Sequence, residues 1–181
     1  MRNDNRGGHR RNNRDRPDPL LTVEWCRVID HPEADAAIVV VTEPALHVIR
    51  LRPKPGAAIQ MVGDRIYMGT DHSNREVVQD VLGFARIRDL SNAANQEMPI
   101  VIQQIIEDSP EVFIQQFFNR AGNLSLKMHA FELLPGVGNK KAMEMVSSRG
   151  RVGWDSFTQL NEDCNINAAE LLARRFVSEI E

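Results

Sequence analysis

The stretch 133-LLPGVGNKKA-142 sets a proline and two glycines within four positions, between two segments that otherwise read as helical. Pro135 has no N–H and restricts Leu134, so it stops an incoming helix. Gly136 and Gly138 allow positive φ and close backbone approach, and Val137 can tuck between the flanking helices. The outgoing helix then starts at once, with its first N–H groups unpartnered at the positive end of the helix dipole. An anion such as phosphate suits that place. Asn139, Lys140 and Lys141 follow directly, and the two lysines add charge within reach.

Working outward, Met128, Phe131 and Leu134 share one face of a helix expected over Ser125–Leu134. Ala142, Met145 and Val146 do the same over Lys140–Ser148. Trp154, Phe157 and Leu160 mark a third helix, NEDCNIN (161–167) breaks it, and Leu171, Leu172, Phe176, Val177 and Ile180 mark a fourth to the end. The pattern is therefore helix–break–helix twice. The second break has no glycine and carries Glu162 and Asp163, which repel phosphate, so it reads as a structural partner of the first.

Upstream the signal changes. Short runs rich in Val, Ile and Thr, at 22–29, 36–43, 45–52, 58–62 and 65–69, are separated by Pro, Gly and Asp turns. Five strands at this spacing predict a small barrel or strongly curled sheet, and 75–90 offers one more. After Ser91, apolar residues at Met98, Val101, Ile102, Ile105 and Ile106 predict a helix with Pro99 in its first turn. Ser109-Pro110 starts another, through Phe118. Arg50 and Arg52, in HVIRLRPKPG (47–56), share a strand face and form the best basic stretch of the β region.

Charge is unevenly spread. Residues 1–16 hold six arginines against Asp4 and Asp15, so a net charge of −3 for the whole chain leaves −7 for the remainder. Within that remainder, residues 124–151 carry +3. An acidic body repels nucleic acid in bulk, so binding must be local to the basic islands. Residues 1–19 have too few apolar groups to offset their ordering entropy and read as a disordered tail. Arg6-Gly7-Gly8 resembles one unit of the arginine-glycine tails of RNA-binding proteins. Cys26 and Cys164 are not spaced as a zinc site or a redox pair. With no apolar run of spanning length and no secretory h-region, the expectation is a cytoplasmic protein without membrane contact.

The five positions of LPGVG, followed by lysines, resemble the hairpin of the helix-hairpin-helix family. That resemblance implies phosphate-backbone contact without sequence specificity. It also implies a K+ or Na+ ion held by hairpin carbonyls, here those of Glu132, Leu134 and Val137. Base-excision glycosylases of that family share LPGVG-x-K, and Lys140 stands at their Schiff-base position. Thr158, however, holds the place of their aspartate, and their all-helical body has no counterpart in the β region. More widely, AANQEMPIVIQQIIEDSPEVFIQQFFNRAG (93–122), HAFELLPGVGNKKAMEMV (129–146) and the FTQL…ELLARRFVSEIE tail resemble an archaeal family catalogued as domain of unknown function 655. Its members are described only as candidate RNA- or nucleotide-binding proteins, with an OB-like barrel ahead of paired hairpins.

Together these readings imply an α+β chain: a disordered tail (1–19), an OB-like β-barrel (20–90), a helical bridge (91–121) and an all-α paired helix-hairpin-helix domain (122–181). The expected activity is non-catalytic binding of nucleic acid, RNA favoured over DNA, with the ribosome or RNA-processing machinery as its setting. No cofactor is expected beyond the hairpin cation. The alternatives are a glycosylase-like enzyme using Lys140 and a protein–protein adaptor.

Overall fold

The structure, a computed structural model, describes residues 18–180. Of the tail read at 1–19, residues 1–17 lie outside the described residues. Asp18 already belongs to the fold: its side chain accepts the Leu20 N–H at 2.9 Å and caps a short 3-10 turn, Pro19–Thr22.

Five antiparallel strands follow: β1 (Trp25–Asp30), β2 (Ile38–Thr42), β3 (Val48–Pro53), β4 (Arg65–Tyr67) and β5 (Val78–Phe84). They pair in the order β4-β1-β2-β3-β5, a curled half-barrel with an open seam between β4 and β5. In that sense the sheet is OB-like. The expected strand at 58–62 is absent: 58–61 are irregular and Val62-Gly63 make a turn, with Met61 N–H bonded to the Asp64 carboxylate. The place in the sheet is taken by β5, from the segment 75–90.

Alternation sends Cys26, Val28, Val40, Ile49, Leu51 and Ile66 into the barrel interior, where they pack with Met68 and Val78. The register of β1 shifts just beyond Val28, before Asp30, and the same alternation turns Ile29 to the outer face. There Ile29 joins Val41, Val48 and the helices in a second core. Both thiols are buried, and burial raises Cys26 and Cys164 above the ordinary thiol range, so neither is poised as a nucleophile. His31, one of three neighbours that resemble a metal set with Glu33 and Asp35, is buried and accepts the Gln60 N–H at Nδ1 (2.9 Å). Among the described residues no group of three His, Cys, Asp or Glu side chains gathers to hold a metal.

Helix α1 (Asn92–Glu107) joins the two parts of the fold. The Ser91 hydroxyl caps it by accepting the Ala94 N–H (2.9 Å). Because the helix starts at Asn92, Pro99 lies in its interior rather than in its first turn. An interior proline costs about 3 kcal/mol; burial of Met98, Val101, Ile102, Ile105 and Ile106 against both the sheet and the last helix offsets it. Next, α2 (Pro110–Val112) runs into a π-helical segment, Phe113–Phe118.

The helix expected over Ser125–Leu134 does not form. Instead β6 (Asn123–Ser125) and β7 (Met128–His129) make a small hairpin, and a 3-10 turn spans Ala130–Leu133. Leu124, Leu126 and Met128 follow a period of two and are all exposed. The threefold spacing of Phe131 and Leu134, both buried, suits a 3-10 turn as well as an α-helix. Three helices complete the chain: α3 (Asn139–Arg149), α4 (Phe157–Cys164) and α5 (Ala168–Ile180). The second break is shorter than NEDCNIN, because α4 continues to Cys164. Asn165 then adopts φ 49°, ψ 55°, the left-handed conformation for which asparagine is the usual substitute for glycine. No helix is long and apolar enough to cross a membrane among the described residues.

Candidate nucleic-acid interface

The 3-10 turn before the glycines is fixed from both ends. His129 Nδ1 accepts the Phe131 N–H (3.1 Å), and the Glu132 carboxylate accepts the His129 N–H (2.8 Å). This is a capping box with histidine in place of serine. Sequence reading missed it, although a glutamate three residues beyond a polar residue was the available signal. Pro135 and Gly136 make the turn, Gly136 at φ 78° and open to solvent. Val137 is buried and its N–H returns to the Leu134 carbonyl (3.0 Å).

Gly138 is the N-cap of α3 and carries no side chain to cap it. Among the described residues, no oxygen accepts from the N–H groups of Gly138, Asn139, Lys140 or Lys141. The other long helices are treated differently. Ser91 caps α1, and Ser156 caps α4 through the Gln159 N–H (3.2 Å). Asn161 and Asn167 accept from Ala168 (2.9 Å) and Glu170 (3.3 Å) at the start of α5. The glycine turn leaves its amides bare, while the asparagine turn fills its own.

The basic residues divide between solvent and structure. Lys140 is exposed at the start of α3. Lys141 turns away: its ammonium donates to the Cys164 carbonyl at the C-terminal end of α4 and lies 3.8 Å from Glu144. Arg149 is also used internally, donating to the Phe118 (3.0 Å) and Ala121 (2.6 Å) carbonyls with its guanidinium over the Phe131 ring. Lys127 and Arg151 remain exposed. Asn139 reaches back to Glu132 (3.4 Å). On the sheet, Arg50 and Arg52 share the exposed positions of β3, and Arg52 pairs with Asp80 (2.9 Å).

The three carbonyls of the implied cation are short of backbone donors among the described residues. Glu132 would bond to the N–H three residues on, but that residue is Pro135, which has none. The Val137 carbonyl receives no backbone donor among the described residues, and Leu134 accepts a single one. Oxygen donors of this kind fit a monovalent cation.

Burial, with the neighbouring Arg149 guanidinium, depresses the pKa of His129, while Glu132 and the Ala121 carbonyl oppose it. The cap needs a bare Nδ1, so protonation and the native turn compete. With the native pKa below the unfolded value, the unfolded state binds more protons between the two. This contribution to stability is complete above about pH 6.5 and is lost as pH falls through the lower, native value. The thermal midpoint is expected to fall between pH 7.5 and pH 5, and part of that fall should disappear in His129→Asn, which can still cap. His129→Ala should cost about 1 kcal/mol at neutral pH in urea unfolding.

Comparison with other proteins adds kinship without activity. A family model described as "Protein of unknown function (DUF655)" matches residues 30–181. The uncharacterized protein MJ0038 of Methanocaldococcus jannaschii is 25% identical over 128 residues, which are 71% of this chain and 57% of that protein. The chain thus spans a little over half the length of that relative. Among solved structures, the crystal structure of Af1531 from Archaeoglobus fulgidus, of the same family, superposes with a TM-score of 0.74 at 27% identity, over 87% of this chain and 93% of that one.

Proposed function

We propose, for a chain that belongs to the DUF655 family and takes no activity from that family's description, non-catalytic binding of nucleic acid through the turn at 134–138. The observation that carries the reading is the bare N-terminus of α3, with an exposed Lys140, in a protein that caps its other long helices. Open amides at a helix start favour phosphate. In this reading the turn is the hairpin of a helix-hairpin-helix unit whose first helix is reduced to a 3-10 turn, and α4–α5 is its non-binding partner. The Glu132, Leu134 and Val137 carbonyls would hold K+ or Na+. Arg50, the exposed arginine of β3 with no ion pair among the described residues, and Lys127 would extend the contact. RNA is favoured over DNA by the arginine-rich residues 1–16, and the setting is RNA processing or the ribosome, in the cytoplasm.

The test is fluorescence anisotropy with single- and double-stranded RNA and DNA of equal length over a salt series. Binding should weaken steeply with salt. Lys140→Ala should reduce the salt slope by about one and weaken all sequences alike, as loss of a phosphate contact does. An unchanged slope would remove Lys140 from the interface.

A second reading has one observation behind it. The β6–β7 tip exposes Leu124, and Leu126 completely, which suits a protein partner better than a phosphate backbone. Absence of binding to all four nucleic acids would favour this adaptor reading.

A further inference from the structure

We propose that the open seam of the half-barrel holds one unpaired nucleobase, stacked against the Arg65–Trp25 pair beside Tyr67 and read by hydrogen-bond acceptors. The site is separate from the glycine turn, and the inference rests on the reading that the protein meets nucleic acid.

Pairing of β1 with β4 sets Trp25 opposite Tyr67. Cys26 and Ile66 point into the barrel, so Trp25, Arg65 and Tyr67 lie on its outer face. The two aromatic rings meet edge to face, centroids 5.3 Å apart. Arg65 lays its guanidinium 4.3 Å from the centre of the Trp25 ring, and its Nε donates to Glu43 at 2.8 Å. Glu43 is itself held by Arg27 at 2.6 Å, so the guanidinium plane is fixed before any ligand arrives. Tyr67 is positioned by the absence of a side chain: a Cβ at Gly69 would stand 2.3 Å from its hydroxyl oxygen. Three flat groups are therefore preset on a surface that the core does not require.

Beside them opens a cavity of about 220 Å³, lined by Trp25, Arg65, Tyr67, Gln60, Asn74 and Glu76. It is smaller than the roughly 300–1,000 Å³ of ordinary cofactor pockets, which suits a single base rather than a dinucleotide. The polar groups are mostly acceptors. The Gln60 amide nitrogen is taken by the Ala58 carbonyl (2.8 Å) and that of Asn74 by Asp71 (2.9 Å), leaving the oxygen of each. Glu76 is exposed and forms no ion pair with a described residue. Aromatic and guanidinium planes stack on any base, but these acceptors select bases that present N–H donors. Guanine, with an imino and an amino group side by side for a carboxylate, fits best; uracil fits least. Glu24, Glu43 and Glu76 nearby disfavour phosphate, so this site reads the base and leaves the backbone to α3. A quaternary or methylated ammonium would need the Trp25 face that Arg65 already covers.

The experiment uses two hexamers, all-uridine and the same with one guanosine, titrated into the full chain, together with guanosine and uridine as free nucleosides. Of the two tryptophans, Trp154 is 1% exposed, so acrylamide-quenchable emission reports Trp25. The guanosine hexamer is expected to bind about tenfold tighter and to protect Trp25 from acrylamide. Glu76→Gln should erase the preference, and Gly69→Ala, which displaces Tyr67, should reduce it. Gly138→Asp should weaken both hexamers and keep their ratio. Equal affinities in the unaltered protein, or a preference that survives Glu76→Gln, would overturn the proposal. Nucleoside protection of Trp25 without binding of either hexamer would support the base site and remove the phosphate reading; hexamer binding without preference would do the reverse.

Discussion

Gly138→Asp is expected to weaken nucleic-acid binding by about ten- to a hundredfold while leaving the fold as stable as before, or slightly more so. Gly138 has φ −89° and ψ 177°, extended backbone open to any residue, and a Cβ there meets nothing within 4 Å. Aspartate is among the preferred N-cap residues; relative to glycine it adds a few tenths of a kcal/mol through the cap, and its charge suits the helix dipole. The same carboxylate accepts from the amides that phosphate would use and repels the phosphate itself. Hydrogen bonds to charged groups contribute about 1.5–3 kcal/mol each, which sets the fold-change. Anisotropy gives the affinity and a thermal melt the stability. Unchanged affinity in a stable variant would show that phosphate does not sit there. Gly136→Ala is a poorer probe, because φ 78° strains the turn and mixes folding with binding.

The second large effect is on stability. Trp154→Ala should cost about 3–5 kcal/mol, a large share of the roughly 5–15 kcal/mol that holds a domain. Trp154 lies just ahead of α4, packed near Phe131 in the core that also holds Phe118 and Phe157. Its backbone exchanges two hydrogen bonds with the Asn119 side chain (2.8 Å each), and its indole N–H donates to Asp163 (3.1 Å). Alanine would leave a cavity where the π-helical segment, the capped turn and α4 meet. Urea unfolding should show a lower midpoint with the slope preserved. A loss below about 1 kcal/mol would mean that the surrounding side chains collapse to fill the space.

What the sequence disclosed followed the strength of local signals. Ser109-Pro110, Gly138 before Asn139 and the Val/Ile runs of β1 to β3 each carry their own chemistry, and their elements stand within a few residues of expectation. Ser125–Leu134 misled because the threefold spacing of Met128, Phe131 and Leu134 satisfies more than one helix type, and because Met128 is exposed in a strand rather than buried on a helix face. Pro99 misled because a mid-helix proline is tolerated only when tertiary burial outweighs it, which no window of sequence shows. Within the site, the glycine turn and Lys140 were legible. The diversion of Lys141 to Cys164 and of Arg149 to Phe118 was not, since both depend on elements distant in the chain. Trp25 and Tyr67 stood out in the sequence as aromatics of the β region, but only strand register showed that their rings meet.

Helix α1 has a consequence for how two weak grips would combine. It is packed into the outer face of the sheet and against α5 at once, in a single continuous core. The seam of the barrel and the start of α3 are therefore carried on one frame, with no slack linker between them. A strand that reached both would give up its freedom of movement at the first contact, and the second would then form at a high effective concentration. Only strands whose spacing matches the frame gain this advantage, so the protein would discriminate by distance along the chain as well as by the identity of a base.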